Sequence, residues 1–189
     1  MKRAFRDLII HLLDEHRILT VATNRPDGWP QATVVSYCND GLVIYFFTDR
    51  DGQKVQNISC DPRVSAAIAK DYHRPLDIKG LSLAGRALVV DDKTEVDHAY
   101  GLLLVRYPEY RVLPKPNRHE IALVRITPEI VSVVDYAKGY GHADLMRVTE
   151  DDLAEFVERR RHHWAGESAA NHDAEPVSVS AARRAKARG

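Results

Sequence analysis

The chain has 189 residues, 44% hydrophobic and 29% charged, which is typical of a soluble globular domain with a sizeable core. Its 27 Lys and Arg residues equal its 27 Asp and Glu residues, so no net charge attracts nucleic acid or an anionic membrane. No apolar run approaches the roughly 20 residues that span a bilayer. The N-terminal segment also lacks the apolar stretch of a secretory signal. We therefore predict a cytoplasmic protein with neither a nucleic-acid partner nor a membrane partner.

The first part of the chain predicts one helix followed by antiparallel strands. Residues 2–16 carry apolar side chains at helical spacing, which indicates an amphipathic helix. Strand patterns follow over Ile18–Thr23, Gln31–Cys38 and Leu42–Thr48, separated by segments rich in Pro, Gly, Asn and Asp. Three consecutive strands joined by short turns favour a meander or a barrel over alternating strands and helices.

The next part of the chain continues this pattern and completes a small barrel. The predicted elements are a helix at Gln53–Cys60, strands at Arg63–Lys70 and Lys79–Asp91, a helix at residues 92–107, and strands at Glu120–Thr127 and Glu129–Tyr136. Gly85 inside a strand predicts a bulge or a point of close approach, and Pro128 predicts a turn or break between the last two strands. The fold class is mainly β with flanking helices, a six- to seven-stranded antiparallel barrel.

We place the barrel domain at residues 1–147, and the C-terminal part of the chain follows it. Thr149 followed by acidic residues predicts the start of a C-terminal helix over residues 148–165. Residues 166–189 carry almost no large apolar side chain, so we predict a disordered tail. A basic cluster near its end fits a solvated tail better than a contact with RNA or a membrane.

One strand-turn-helix segment suits a phosphate group. The apolar strand Leu42–Thr48 runs into a turn containing Gly52, and the following helix starts with Gln53 and Lys54. Free backbone N–H groups at a helix start, the positive end of the helix dipole and a lysine side chain all favour an anion. Neither a Walker loop nor a Rossmann fingerprint is present, so the ligand must be inferred from context.

The order of several motifs supplies that context. After the N-terminal helix come Ile18–Thr23, Asp27–Pro30, Tyr45–Thr48, Gln53–Asn57 and Asp61–Val64. The most specific part is Lys-X-X-Asn followed by Asp-Pro-X-Val, directly after an aromatic strand. In these motifs the chain resembles the pyridoxamine 5'-phosphate oxidase-like family, whose fold is the flavin-binding split β-barrel. The resemblance covers roughly residues 5–147.

The resemblance implies a homodimer that holds flavin mononucleotide (FMN) in clefts between the subunits, together with a small-molecule substrate. It places Thr48, Gln53 and Lys54 at the ribityl phosphate. It also implies contacts to the isoalloxazine ring, through side chains or backbone groups, from Val34, Val35, Ser36, Tyr45, Phe46 and Phe47.

The segment Tyr136–Asp144 has two interpretations. It contains two glycines, two tyrosines, Lys138 and His142 directly after a predicted strand. It is either a flexible connector to the C-terminal helix or a loop from the partner subunit that covers the cofactor. The second interpretation adds Lys138 and His142 to the cofactor-binding residues.

The chain also departs from the true oxidase. That enzyme carries an Arg and a Lys on the strand that corresponds to Gln31–Ser36, and an Arg-Leu-X-Pro-type motif near its end, and this chain has neither. We therefore expect an FMN-binding oxidoreductase for another, unidentified small substrate, with no identifiable catalytic side chain and no metal site. The alternatives are a deazaflavin-dependent reductase and a non-catalytic protein that binds flavin or haem.

Overall fold

One curled antiparallel sheet organises the described part of the chain, which is residues 1–154 of a computed structural model. Its strands are β1 Ile18–Asn24, β2 Pro30–Ser36, β3 Cys38–Asp40, β4 Val43–Asp49, β5 Arg63–Ile68, β6 Lys79–Val90, β7 Ile121–Asp135 and β8 Ala143–Arg147. Their order is β2-β1-β5-β6-β7-β4-β3, and β8 also pairs with β7. Within these residues β2 and β3 are not paired with each other, so the barrel is split. The predicted antiparallel split β-barrel is confirmed.

Helices cover both faces of this sheet. They are α1 Arg3–Glu15, α2 Gln53–Cys60 and α3 Lys93–Arg106. The main core lies on the face where α1 buries Leu12 and Leu13 beside Phe46 of β4. A second, smaller cluster joins Leu103 of α3 to Tyr45 of β4. Since neighbouring residues of a strand point to opposite faces, β4 contributes to both clusters.

The C-terminal helix predicted at 148–165 is described only at its start. Helical structure begins at Glu150 and continues to Ala154, where the described residues end. The rest of that helix and the predicted tail at 166–189 lie outside the described residues. Within residues 1–154, every helix is too short or too polar to cross a membrane.

The predicted break at Pro128 is wrong, because β7 runs without interruption through that residue. The pairing between β6 and β7 accommodates the proline. It shifts by one residue between Ala84 and Gly85, so that Gly85 lies opposite Pro128 and Glu129 of β7 has no partner in β6. A Cβ atom at Gly85 would lie 2.4 Å from the Thr127 carbonyl oxygen, so only glycine allows this approach. The close approach predicted at Gly85 is confirmed, and the bulged residue lies opposite it in β7.

The segment after β7 also differs from the prediction. Residues 143–147 form β8, which folds back and pairs with the second half of β7. The connector is therefore residues 136–142 alone. The predicted strand at Gln31–Cys38 also divides, because β2 ends at Ser36 and β3 starts at Cys38. These differences give an eight-stranded sheet, where the sequence predicted six or seven strands.

Candidate cofactor site

The turn between β4 and α2 leaves backbone donors open at the start of the helix. Gly52 is the N-cap residue of α2 and makes no side-chain capping hydrogen bond. The N–H groups of Gln53 and Lys54 make no hydrogen bond to any group in residues 1–154. The turn is tight, since a Cβ atom at Gly52 would lie 3.1 Å from the carbonyl oxygen of Asp49. The start of α2 can therefore donate two hydrogen bonds to an anion.

Lys54 provides a cation at the same place. Its side chain is half-buried and has no ion pair or hydrogen bond to any other residue in the described range. The neighbouring cation, Arg50, is engaged elsewhere. Its Nε donates to the carbonyl oxygen of Arg118 at 2.7 Å, and its guanidinium lies 3.3 Å from Oδ1 of Asp91. Lys54 is thus available for a negatively charged ligand at the helix start.

Asn57 fixes the position of α2 on the sheet. Its side chain is fully buried, and its Nδ2 donates to Oγ1 of Thr23 in β1 at 2.9 Å and to Oε1 of Gln31 in β2 at 3.0 Å. Its Oδ1 accepts a hydrogen bond of 2.9 Å from Nε2 of Gln53. One buried amide therefore links the first residue of α2 to two strands. The bond to Thr23 is buried and the bonds with Gln31 and Gln53 are part-buried, and together they hold the helix start in a defined place.

The predicted residues of β2 lie on two different faces of an edge strand. Val34 points outward and is 64% exposed, whereas Val35 packs partly against the main core. Ser36 is half-buried, and its Oγ accepts a hydrogen bond of 3.4 Å from the hydroxyl of Tyr110. Among these three predicted residues, Val34 offers the exposed apolar surface that a ring system or a partner chain could cover.

The predicted residues of β4 also alternate between faces. Phe46 is completely buried in the main core, and Thr48 follows it on the same face, half-buried at the strand end. Tyr45 and Phe47 point toward α3, where the Tyr45 hydroxyl donates to Oε1 of Glu95 at 3.0 Å. Burial and the Glu95 carboxylate both raise the pKa of Tyr45. Phe46 and Thr48 therefore face away from α3. Of these two residues, Thr48 is nearer along the chain to the start of α2.

Lys138 and His142 lie far from Thr48 within one chain. Thr48 pairs with the start of β7, at Ala122, whereas Lys138 and His142 lie in the connector after the end of β7. Both side chains contact Asp144, Lys138 Nζ at 3.0 Å and His142 Nε2 at 3.2 Å, and these hydrogen bonds lower the pKa of Asp144. Within one chain, therefore, these two side chains lie at the opposite end of β7 from Thr48.

Comparison with known protein families identifies this arrangement. The family profile described as pyridoxamine 5'-phosphate oxidase matches residues 5–135. This match covers most of the chain and spans every strand from β1 to β7. The chain belongs to the pyridoxamine 5'-phosphate oxidase family.

Solved structures with similar folds come from proteins with different described roles. A haem-binding protein from Mycobacterium smegmatis has a TM-score of 0.64 and 21% identity, and the match covers 78% of this chain and 59% of that chain. A conserved hypothetical protein from Mycobacterium tuberculosis has a TM-score of 0.61 and 27% identity, with 79% and 92% covered. The haem storage protein of Vibrio cholerae has a TM-score of 0.56 and 19% identity, with 65% and 89% covered.

These comparisons establish the family and the fold. The chain spans 59% of the length of the haem-binding protein from Mycobacterium smegmatis. No curated protein sequence matches the chain. The family membership predicted from the motif order is therefore confirmed.

Two residues that position the candidate site were not predicted as parts of it from the sequence. Asn57 ends the Lys-X-X-Asn string that carries the resemblance, yet its role as the anchor of α2 becomes visible only from the positions of Thr23 and Gln31. Gln31 stands on the strand where the true oxidase has an Arg. Here Gln31 completes the hydrogen bonds of Asn57 and carries no charge.

Proposed function

We propose that this member of the pyridoxamine 5'-phosphate oxidase family is a homodimeric FMN-binding oxidoreductase that acts on a small substrate. One observation carries the proposal: the half-buried Lys54, without a partner in residues 1–154, lies beside two open N–H groups at the start of α2. The Lys54 ammonium has no counter-ion among the described residues, and a ligand phosphate would supply one.

The residues present fit the phosphate of FMN. A phosphate monoester carries nearly two negative charges and accepts several hydrogen bonds, and the start of α2 offers two N–H donors and the Lys54 ammonium. The hydroxyl of Thr48, at the end of β4, adds a further donor near this turn. Gln53 is held by Asn57, so its backbone N–H keeps a fixed direction.

The ring of FMN would need an apolar surface, and a second chain would have to complete it. Val34 exposes such a surface on β2, which is an edge strand of the sheet. A connector with Lys138 and His142 from the partner would add polar groups that one chain cannot bring to this site. FMN, when bound, would accept or donate the electrons of the reaction, and the protein would hold and orient it.

The proposed substrate is not pyridoxamine 5'-phosphate. The preceding strand offers no second cationic contact to a phosphate, since β2 carries only uncharged residues where the true oxidase has basic ones. The Gln31 side chain is also engaged with Asn57. We therefore propose a substrate without a phosphate group at that position.

Haem and deazaflavin remain the alternative cofactors. Two similar structures belong to proteins described as haem-binding and haem storage proteins, but at 21% and 19% identity they support the shared fold. The absorption spectrum of the purified full-length protein separates the three cases. Visible flavin absorption from a chromophore that is released as FMN on denaturation would support the proposal, whereas release of a deazaflavin would support that alternative. A Soret band would support haem instead, and failure to take up added FMN would overturn the proposal.

The phosphate assignment has a separate test. Lys54→Ala should weaken FMN binding by roughly ten- to a hundredfold, since a charge-assisted contact is lost, and should leave riboflavin binding nearly unchanged. Lys54→Arg should restore much of the difference. Lys70→Ala is the matched control, because Lys70 pairs with Glu15 at the end of α1 and is not among the residues of the proposed site. Equal losses of FMN and riboflavin affinity would contradict a phosphate contact at Lys54.

A further inference from the structure

A cavity of about 640 Å³ opens on the opposite face of β4 from Thr48. Phe47 lines it, and Phe47 and Thr48 are consecutive residues of a strand, so their side chains point to opposite faces. The other walls come from the end of β6, the start of β7, the first turns of α3 and residues 115–119. Its volume is in the range of sites for small organic ligands, which is roughly 300–1,000 Å³.

The floor of this cavity is apolar. It is formed by Phe47, Val90, Val96, Ile121 and Leu123. Val90 and Leu123 belong to the second hydrophobic cluster, and Phe47 and Val96 pack partly against it. The floor is therefore continuous with a packed core and cannot rearrange freely. A flat apolar group could cover it and exclude water.

The rim of the cavity is cationic. It carries four basic residues, Arg50, Lys93, Lys115 and Arg118, against two carboxylates, Asp91 and Asp97. Lys93 and Lys115 share Asp97, each with a distance of 2.6 Å, and Arg50 faces Asp91. The guanidinium of Arg118 has no ion pair within residues 1–154. The rim therefore has an excess of two positive charges, with His119 taken as neutral.

The loop that forms one wall is fastened at both ends. The Lys115–Asp97 ion pair holds its beginning. Its end is held by Arg50, whose backbone N–H donates to the Glu120 carbonyl and whose Nε donates to the Arg118 carbonyl, both at 2.7 Å. The two lysines lower the pKa of Asp97 to about 2, so its carboxylate stays ionised at neutral pH. The cavity is thus formed before any ligand enters.

We propose that this cavity is a binding site for a small organic anion, with an aromatic or similarly flat apolar body and one phosphate or carboxylate group. The apolar floor selects the body, and Arg118 with the paired lysines selects the negative charge. Among the proposed FMN-binding residues only Phe47 lines the cavity, so this site is separate from the cofactor site at Lys54.

Calorimetric titration of the full-length protein tests this proposal with four probes. Phenyl phosphate and benzoate combine an aromatic ring with a phosphate or a carboxylate, whereas benzyl alcohol lacks the charge and inorganic phosphate lacks the ring. Phenyl phosphate, benzoate or both should bind at one site per chain, at least about tenfold more tightly than benzyl alcohol and inorganic phosphate. The better of the two identifies the preferred anion. No binding of either below about 10 mM would overturn the proposal, and so would equal binding of inorganic phosphate.

Variants locate the site. Arg118→Ala should weaken binding of the better probe by about tenfold, whereas Arg111→Ala, an exposed arginine outside the cavity lining, should not change it. Lys54→Ala and saturation with FMN should also leave it unchanged. If Lys54→Ala removes binding while Arg118→Ala does not, the probe occupies the cofactor site and the cavity proposal is wrong. A failure of FMN binding alone would leave this result intact.

Discussion

Asn57 of α2 and Thr23 of β1 are joined by a side-chain hydrogen bond of 2.9 Å between two buried residues. This bond and the one from Asn57 to Gln31 connect α2 to two strands of the barrel. The start of α2 forms the proposed phosphate site. The position of the site therefore depends on a residue that does not itself face the ligand.

Asn57→Ala should lower the free energy of unfolding by about 2–3 kcal/mol, because Thr23 loses a buried partner and the amide's own hydrogen bonds disappear. Urea denaturation followed by circular dichroism measures this change. FMN affinity should fall in the same variant, since the start of α2 is no longer fixed. Ser59→Ala on the same helix is the control, because Ser59 is exposed and its hydroxyl bonds only within the helix. An unchanged urea midpoint in Asn57→Ala would show that the anchor is not needed.

Gly85→Ala should destabilise the protein by about 2–3 kcal/mol. The added Cβ atom would lie 2.4 Å from the Thr127 carbonyl oxygen and 2.8 Å from Cα of Pro128, and both are backbone atoms of the bulge. Gly101→Ala offers a matched comparison in α3, where nothing lies within 4 Å of the new atom. It should stabilise the protein by up to about 1 kcal/mol, because alanine favours helix. Thermal unfolding of the two variants should therefore shift in opposite directions, and a tolerated Gly85→Ala would contradict the close approach.

Tyr45 should make stability depend on pH in the alkaline range. Burial and Glu95 raise its pKa above the ordinary value of 10.0. A raised pKa in the folded state means that its contribution is complete below pH 10 and is lost as the pH rises further. Tyr45→Phe should cost about 1 kcal/mol at pH 8, through the lost bond to Glu95, and the gap to the wild type should narrow above pH 10. The exposed Tyr140→Phe is the control, and a pH-independent gap for Tyr45→Phe would contradict this assignment.

The proposed dimer can be tested at the edge strand β2. Sedimentation of the wild type should give a mass of two chains, and Val34→Asp should shift it toward one chain, because a carboxylate would enter an apolar contact. FMN affinity should fall together with the dimer. Val105→Asp on α3 places the same change at a residue of similar exposure, 68% against 64%. A wild-type mass of one chain at micromolar concentration would reject a cofactor cleft between subunits.

Most helices and strands follow from sequence alone. The helix at Gln53–Cys60 lies where the sequence predicts it, and Gly85 marks a bulge, because these features depend on neighbouring residues and on local backbone freedom. The effect of Pro128 does not follow from its neighbours in the sequence, because they predict a break where β7 is continuous. β7 continues through Pro128 because its pairing with β6 shifts there and leaves Glu129 without a partner, and the residue opposite Pro128, Gly85, lies 43 residues earlier in the chain.

In the proposed site, too, some features follow from the sequence and others only from the tertiary structure. The sequence determined the family, through a string of motifs that includes Lys54 and Asn57, and it determined that a lysine stands at a helix start. Only the tertiary structure decided that Asn57 is bound to Thr23 and Gln31, that Phe47 and Thr48 point to opposite faces of the sheet, and that a cavity lies on the Phe47 side of β4. The reason is that burial and charge pairing depend on residues distant in sequence, and the chain brings them together only when the sheet closes.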